Sequence, residues 1–474
     1  VLNYLSPKAI YSPRRFGFKE PKPVCTPIFG LAPWTKLKLV QTFNFFIMTT
    51  KNTHIATRAV QSGYEPKNAE PRVAGIIQST TYKFDTAEQI ADVFDLKDTA
   101  HIYSRISNPT VSQLEEKITA LEGGTGALAL ASGHAAVSLA ILNLCSAGHH
   151  FVAAKSLYGG TINLFSNTLK RYGITCTFVD QDAPLSELQK AIQDNTRLIF
   201  AESLTNPGME VLDFEKFSQL AKHNKLPLLI DNTFPTPVLC QPFEHGANIV
   251  IHSTTKFIDG HATSVGGVIV DGGNFNWDNG KFPEFTTPDE SYHGVCYAFD
   301  FKDNPFVVKA RTQLLRDFGP CLSPFNAFLT FHGCQTLALR MERHSSNTLQ
   351  LAQWLEKQKE VDWVRYPELK SSPYHTLAKR YLPEGSSGVL AFGFKGGFEE
   401  TKQFINRLKL AKLVVHVGDI RTSVVHPASM THRQLSEDQL LDIKITPNLI
   451  RVSVGIEHID DIIADFKQAF SIDN

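Results

Sequence analysis

The sequence predicts an α/β protein, a mostly parallel sheet covered by helices on both faces, followed by a smaller α+β unit. Three observations carry this. Short runs are apolar at every position, as strands buried on both faces require. Segments with apolar residues at 3–4 spacing separate them. Past about residue 320 the alternation gives way to a long helical pattern and then to mixed strands and helices.

Residues 111–121 read as a helix, with Leu114, Ile118 and Leu121 on one face and Glu115, Glu116 and Lys117 outside. Gly123-Gly124 stops it. Strand-like runs follow at 127–131, 151–154, 175–179, 197–201, 226–230, 249–252 and 265–270. Helices at 135–145, 161–170, 185–192 and 214–223 alternate with the earlier ones. Residues 271–301 are irregular but rich in aromatics, which predicts an ordered, functional insertion. One helix is expected from Pro324 to about Lys357. Strands at 361–366, 389–394, near Val414 and at 449–454 follow, with helices at 399–408 and 459–470.

Composition narrows the function. The 474 residues hold 47 Lys/Arg and 47 Asp/Glu, a net charge of zero, which lacks the basic face of a nucleic-acid binder. No apolar run approaches the ~20 residues of a membrane span. The seven cysteines are scattered and lack a CxxC pair, which predicts reduced, cytoplasmic thiols rather than disulfides or zinc. The histidines show no metal-ligand spacing, so His149, His150, His426 and His432 are expected to be structural. Residues 1–47 carry seven Lys/Arg and one acid, Glu20, and the first methionine is Met48. They read as a translated leader, with an organelle-targeting segment as the alternative.

In parallel sheets, ligands sit beyond the carboxyl ends of the strands. Ser132, Tyr158, Asn206, Asp231 and Lys256 all follow apolar runs. Asp231 closes Leu228-Leu229-Ile230, and Lys256 closes a strand that ends in Ser253-Thr254-Thr255. A lysine amine that can join an aldehyde, a carboxylate for a pyridinium nitrogen and hydroxyls for a phosphate together suggest pyridoxal 5'-phosphate. Ser132-Gly133-His134, opening an apolar helix, supplies an anion cradle. Tyr158 is placed to stack on a flat ring or to act as an acid. Asn206-Pro207 is either a partner for a ring hydroxyl or a turn. Ser253-x-x-Lys256 matches the acyl-enzyme motif S-x-x-K, but that motif opens a helix and needs a KTG partner, which is absent. Gly124-x-Gly126-x-x-Ala129 matches a dinucleotide fingerprint but precedes a strand instead of a helix.

These residues resemble the pyridoxal-phosphate enzymes of cysteine and methionine metabolism, of fold type I. The resemblance runs from Thr53 to Phe470. Its motifs are Ser253-Thr254-Thr255-Lys256-Phe257, Asp231-Asn232-Thr233, Tyr103-Ser104-Arg105 with Asn108-Pro109-Thr110, Leu157-Tyr158-Gly159-Gly160-Thr161, and Arg451 to Glu457. Gly160 in place of a cysteine, the 271–301 insertion and His426-Pro427-Ala428-Ser429 are similar to the branch that sulfhydrylates O-acetylhomoserine. The resemblance implies a seven-stranded sheet, an N-terminal arm over 48–105, a large cofactor-binding domain over 106–320 and a C-terminal domain over 321–474. It also implies roles. Lys256 joins the cofactor and shuttles protons, Asp231 pairs with the ring nitrogen, and Tyr158 stacks on the ring. Gly133, His134, Ser253 and Thr255 hold the phosphate, completed by Tyr103 and Arg105 of a neighbouring copy in a dimer or tetramer. Asn206 lies near the ring hydroxyl, and Arg451 clamps the substrate carboxylate. The implied reaction joins O-acetyl-L-homoserine with sulfide or methanethiol. Methionine γ-lyase and cystathionine γ-synthase or γ-lyase are the alternatives. One segment departs from the branch. Where relatives commonly read Asn-Val-Gly-Asp-Ala-Lys-Ser-Leu, this chain has His416-Val417-Gly418-Asp419-Ile420-Arg421-Thr422-Ser423, so His416 is a candidate substrate contact.

Overall fold

A computed structural model describes residues 53–430, 433 and 444–470. The expectations for residues 1–47, Cys25 and His432 lie outside the described residues.

Seven strands form the larger sheet in the order β1-β7-β6-β5-β4-β2-β3. They are β1 (Gly126–Leu130), β2 (His150–Ala154), β3 (Thr175–Val179), β4 (Thr196–Glu202), β5 (Leu228–Asp231), β6 (Ile249–His252) and β7 (Gly267–Asp271). Pairs β2–β3, β2–β4, β4–β5 and β5–β6 are parallel. β7 runs antiparallel to both β1 and β6. An apolar run reports burial on both faces and not direction, so this reversal is invisible in the sequence.

The helix Pro109–Glu122 begins at an Asn108 cap and ends at Gly123 with φ +76°. Glu115 and Lys117, expected outside, are buried. The helices Ile55–Gln61 and Pro324–Gln335 cover that side. Lys117 Nζ donates to the Ala59 carbonyl at 2.7 Å and lies over the Phe331 ring. Glu115 accepts from the Ala129 N–H and pairs with Arg311. Local spacing cannot register a neighbour that covers the polar face.

The expected helix from Pro324 to Lys357 is two helices, Pro324–Gln335 and Leu337–Leu355. Thr336 leaves helical geometry (φ −105°, ψ 7°). The Arg340 guanidinium fills the break, donating to the carbonyls of Gly333 and of Phe257 and Ile258. The break therefore grips the loop that directly follows Lys256.

A second sheet, order β10-β11-β12-β9-β8, comprises β8 (Val361–Arg365), β9 (Val389–Phe394), β10 (Lys412–Leu413), β11 (Ser423–Val425) and β12 (Leu449–Ser453). It packs its own core, with Phe392, Phe404 and Phe466 fully buried. β11 has three residues, too few for a periodic signal.

The aromatic insertion is packed. Trp277 stacks on Phe285 with centroids 4.2 Å apart, and Phe282 meets it edge-on. All three are buried and joined to the main core. Trp277→Ala is expected to cost about 3–5 kcal/mol, the range for deleting a buried aromatic. Chemical denaturation followed by circular dichroism checks this, and a loss under ~1 kcal/mol would mean the insertion is loosely attached.

Candidate active site

The strand ends build the site. Parallel register sets Glu202 on β4 opposite Asp231 on β5, and Asp231 opposite Ile251 on β6. The chain beyond β6 therefore carries Ser253, Thr255 and Lys256 to the same edge. These residues border a cavity of about 610 Å³. Gly133, His134, Tyr158, Asn206, His416 and Arg451 also line it.

The cavity's anion end is the start of the helix Gly133–Leu142, capped by Ser132, whose hydroxyl accepts from the Ala135 N–H at 3.1 Å. The first-turn N–H groups of a helix have no partner within it and attract anions. A methyl group on Gly133 would stand 2.6 Å from Ser253 Cβ and 2.9 Å from its Oγ. Only glycine lets the helix start and the Ser253 loop meet this closely.

Asp231 is tied to that end by Thr233. The Thr233 N–H and hydroxyl both donate to Asp231 Oδ1, and Thr233 Oγ1 accepts the Ser253 N–H at 2.9 Å. Burial raises the Asp231 carboxyl, and the Thr233 bonds oppose the rise. The Tyr158 and His134 rings, which line the same cavity, lie with centroids 5.7 Å apart. Burial lowers His134, and Asp231 opposes this.

Arg451 is buried, on β12 of the second sheet. Its Nη1 donates to Asn206 Oδ1 at 3.3 Å and its Nη2 to the His416 carbonyl at 3.1 Å, while Nε is buried without a partner. Burial lowers it to about 10, so it stays cationic at neutral pH. His416 Nε2 is likewise buried without a partner. Burial, then the charge of Lys256, lowers His416 to about 4, leaving a neutral imidazole. Gly418, at φ +81°, brings this segment against the backbone of Lys256 and Phe257.

Ten of the expected site residues therefore meet in one cavity: Gly133, His134, Tyr158, Asn206, Asp231, Ser253, Thr255, Lys256, His416 and Arg451. Tyr103 and Arg105 do not border it. They are exposed, with Arg105 over the Tyr103 ring at 5.2 Å and donating to the Arg316 carbonyl. His150 and His426 are structural. His150 bonds Thr196 and Thr177, and His426 bonds Ser429 and the Pro447 carbonyl. Among the described residues, no group of His, Cys, Asp and Glu could hold a metal. Sequence reasoning missed Glu202 and Thr233. Thr233 was visible as part of Asp231-Asn232-Thr233. Glu202 had no sequence signal beyond its place at a strand end.

Burial, then the Arg451 charge, lowers the Lys256 ammonium to about 8. Its neutral, nucleophilic fraction rises as pH rises through that value. In the apoenzyme, ¹³C-methylated Lys256 is expected to titrate near 8, and Arg451→Met should move the midpoint upward. Titration at the ordinary ~10.4 would contradict the buried placement.

The glycine-floored anion cradle, the strand-end carboxylate and the depressed lysine fit pyridoxal phosphate. The comparisons agree. Residues 56–471 match the family model of Cys/Met metabolism PLP-dependent enzymes. An O-acetyl-L-homoserine sulfhydrylase of Leptospira meyeri is 45% identical over 88% of this chain and 97% of its own. A homocysteine synthase of Schizosaccharomyces pombe is 44% identical over 90% of this chain and 100% of its own. A Campylobacter jejuni structure, provisionally named O-acetylhomoserine (thiol)-lyase, holds a pyridoxyl-lysine monophosphate. It has a TM-score of 0.85 at 39% identity, covering 88% of this chain and 99% of its own. On the matched span, the motifs and the cavity they build, the chain belongs to the PLP-dependent enzymes of cysteine and methionine metabolism.

Proposed function

We propose that this enzyme performs γ-replacement on O-acetyl-L-homoserine. Sulfide or methanethiol bonds to Cγ, the Cγ–O bond breaks, and its electron pair leaves on acetate. The products are L-homocysteine or methionine. The convergence of Lys256, Asp231 and Arg451 on one cavity is the observation that carries this reading. The sulfhydrylase and homocysteine synthase names of similar proteins supply the substrate.

Bound pyridoxal phosphate supplies an aldehyde that joins amines and a ring that accepts an electron pair from the α-carbon. The chain's residues do the rest. The Gly133 and His134 amides with the Ser253 and Thr255 hydroxyls bind the phosphate. Asp231 holds a proton on the ring nitrogen, and Tyr158 covers the ring face. Arg451 takes the substrate carboxylate in a bidentate grip, for which its fork geometry is suited. Lys256 Nζ is the amine that would hold the cofactor's aldehyde, and with substrate in the cavity it would take the proton from Cα and then move one from Cβ. The neutral His416 imidazole lines the same cavity and would contact the substrate there.

Gly160 favours replacement over γ-elimination. A methyl there would stand 2.6 Å from His134 Nε2 and 2.7 Å from the Tyr158 ring, so the cysteine common in γ-lyases would displace both rings. Tyr103 and Arg105 complete the phosphate site of a neighbouring copy, which makes a dimer the smallest active unit and a tetramer the expected one. Their exposure in the single chain supports this. Cytoplasmic residence belongs to the same reading, because Cys145, Cys240 and Cys334 are buried free thiols suited to a reducing compartment. Among the described residues, no helix is long and apolar enough to cross a membrane.

The purified enzyme should absorb at about 420 nm and form homocysteine from O-acetylhomoserine and sulfide, and Lys256→Ala should abolish both. The band without homocysteine would move the reaction to γ-elimination or another thiol. No band after adding pyridoxal phosphate would overturn the assignment.

A further inference from the structure

Glu202 ends β4 and is 5% exposed, in register with Asp231. Its Oε1 accepts the Tyr158 N–H at 2.6 Å, and its Oε2 accepts the Asn206 N–H at 3.3 Å. Tyr158 stands in the loop after β2, and Asn206 in the loop after β4. Asn206 Oδ1 in turn accepts Arg451 Nη1, which comes from the other sheet. One carboxyl thus ties together the ring-face tyrosine, the loop before the cis Asn206-Pro207 bond and the carboxylate clamp.

The placement is costly. Burial and the adjacent Asp231 push the Glu202 carboxyl well above the ordinary range. An apolar side chain would fill a buried strand end more cheaply. The two amides that Glu202 binds do not belong to the β-ladder. They belong to the loops that carry site residues. The cost is therefore spent on aligning those loops rather than on closing the sheet.

We propose that Glu202 is a positioning residue that sets Tyr158 against the cofactor ring and, through Asn206, sets the Arg451 clamp for the substrate carboxylate. The substrate's identity rests on the γ-replacement reading, but the positioning role does not. Any amino acid bound through its carboxylate reports it.

The test is Glu202→Gln in the holoenzyme. Glutamine keeps the shape but puts an NH₂ donor where one of the two acceptor oxygens stood, so it cannot accept the two amides on separate oxygens. Three readouts apply: visible circular dichroism of the bound cofactor, the Kd for unreactive L-norvaline from spectral titration, and kcat with KM. Leaving a buried amide donor without its acceptor corresponds to roughly 5- to 100-fold. The norvaline Kd and the KM for O-acetylhomoserine should each rise about tenfold, near the lower bound because the clamp itself remains. The cofactor dichroism should change as Tyr158 shifts. Cofactor content and melting temperature should stay near those of wild type. Glu202→Asp retains both carboxyl oxygens but is one methylene too short to reach both amides, and it should show the same losses. It carries the test if the glutamine variant does not fold.

Kd, KM and dichroism within twofold of wild type in either folded variant would overturn the proposal. So would losses that only track lost cofactor or lost folded protein. If wild type makes no homocysteine, the substrate reading fails, while the dichroism and norvaline measurements still decide the role of Glu202.

Discussion

Parallel pairing of β4, β5 and β6 holds three strand ends at one edge, and the site depends on that alignment. Each strand contributes one kind of group: the Glu202 carboxyl, the Asp231 carboxyl, and the hydroxyls and amine beyond His252. A one-residue slip would turn every side chain of a strand to the opposite face. Asp231 would leave the cavity, and Thr233 could no longer bridge it to Ser253. The ladder fixes the register, so the cradle and the carboxylate are aligned before any ligand arrives. Preorganisation of this kind spares the site from reorganising during reaction.

Charge is concentrated where water is scarce. Burial and the Arg451 charge weaken the protonation of Lys256, while Arg451, lowered by burial alone, keeps its proton, because an ammonium loses its proton far more readily than a guanidinium. The result is an amine that gives up its proton near pH 8 beside a fixed cation. Asp231 and Glu202 form the opposite pair. Asp231 is held by a hydroxyl and an amide, and Glu202 by two amides from separate loops. The second sheet enters through Arg451 and His416, so the cavity depends on both sheets being packed together. Arg340 ties the helical break to the loop after Lys256 through the Phe257 and Ile258 carbonyls.

Much of this was legible in the residues. Leu228-Leu229-Ile230 before Asp231 read as a buried strand and is one. The helix Phe214–His223 matched its expected span because a buried apolar stripe and an Asp213 cap coincide there. Gly133, His134, Tyr158, Asn206, Asp231, Ser253, Thr255 and Lys256 were legible because strand ends point one way in a parallel sheet, whereas Arg451 and His416, outside that sheet, were readable only through the resemblance. The misses share a cause, which is tertiary contact. Thr336 breaks a helix whose apolar spacing continues across it, and the satisfying group, Arg340, is held by a distant loop. Lys117 looks solvated until two other helices cover it. Glu202 works through backbone amides of residues 44 and 4 positions away, and amides leave no mark in a sequence. Tyr103 and Arg105 were readable only through the resemblance, because their work lies off their own chain's cavity.

The central claim is that strand register places the Asp231 carboxylate at the ring nitrogen. Solid-state NMR of enzyme loaded with pyridoxal phosphate ¹⁵N-labelled in the ring tests it directly. The account predicts a protonated nitrogen in wild type and a neutral one in Asp231→Asn, with the cofactor bound in both. A neutral nitrogen in wild type, or a protonated one that survives the substitution, would contradict it.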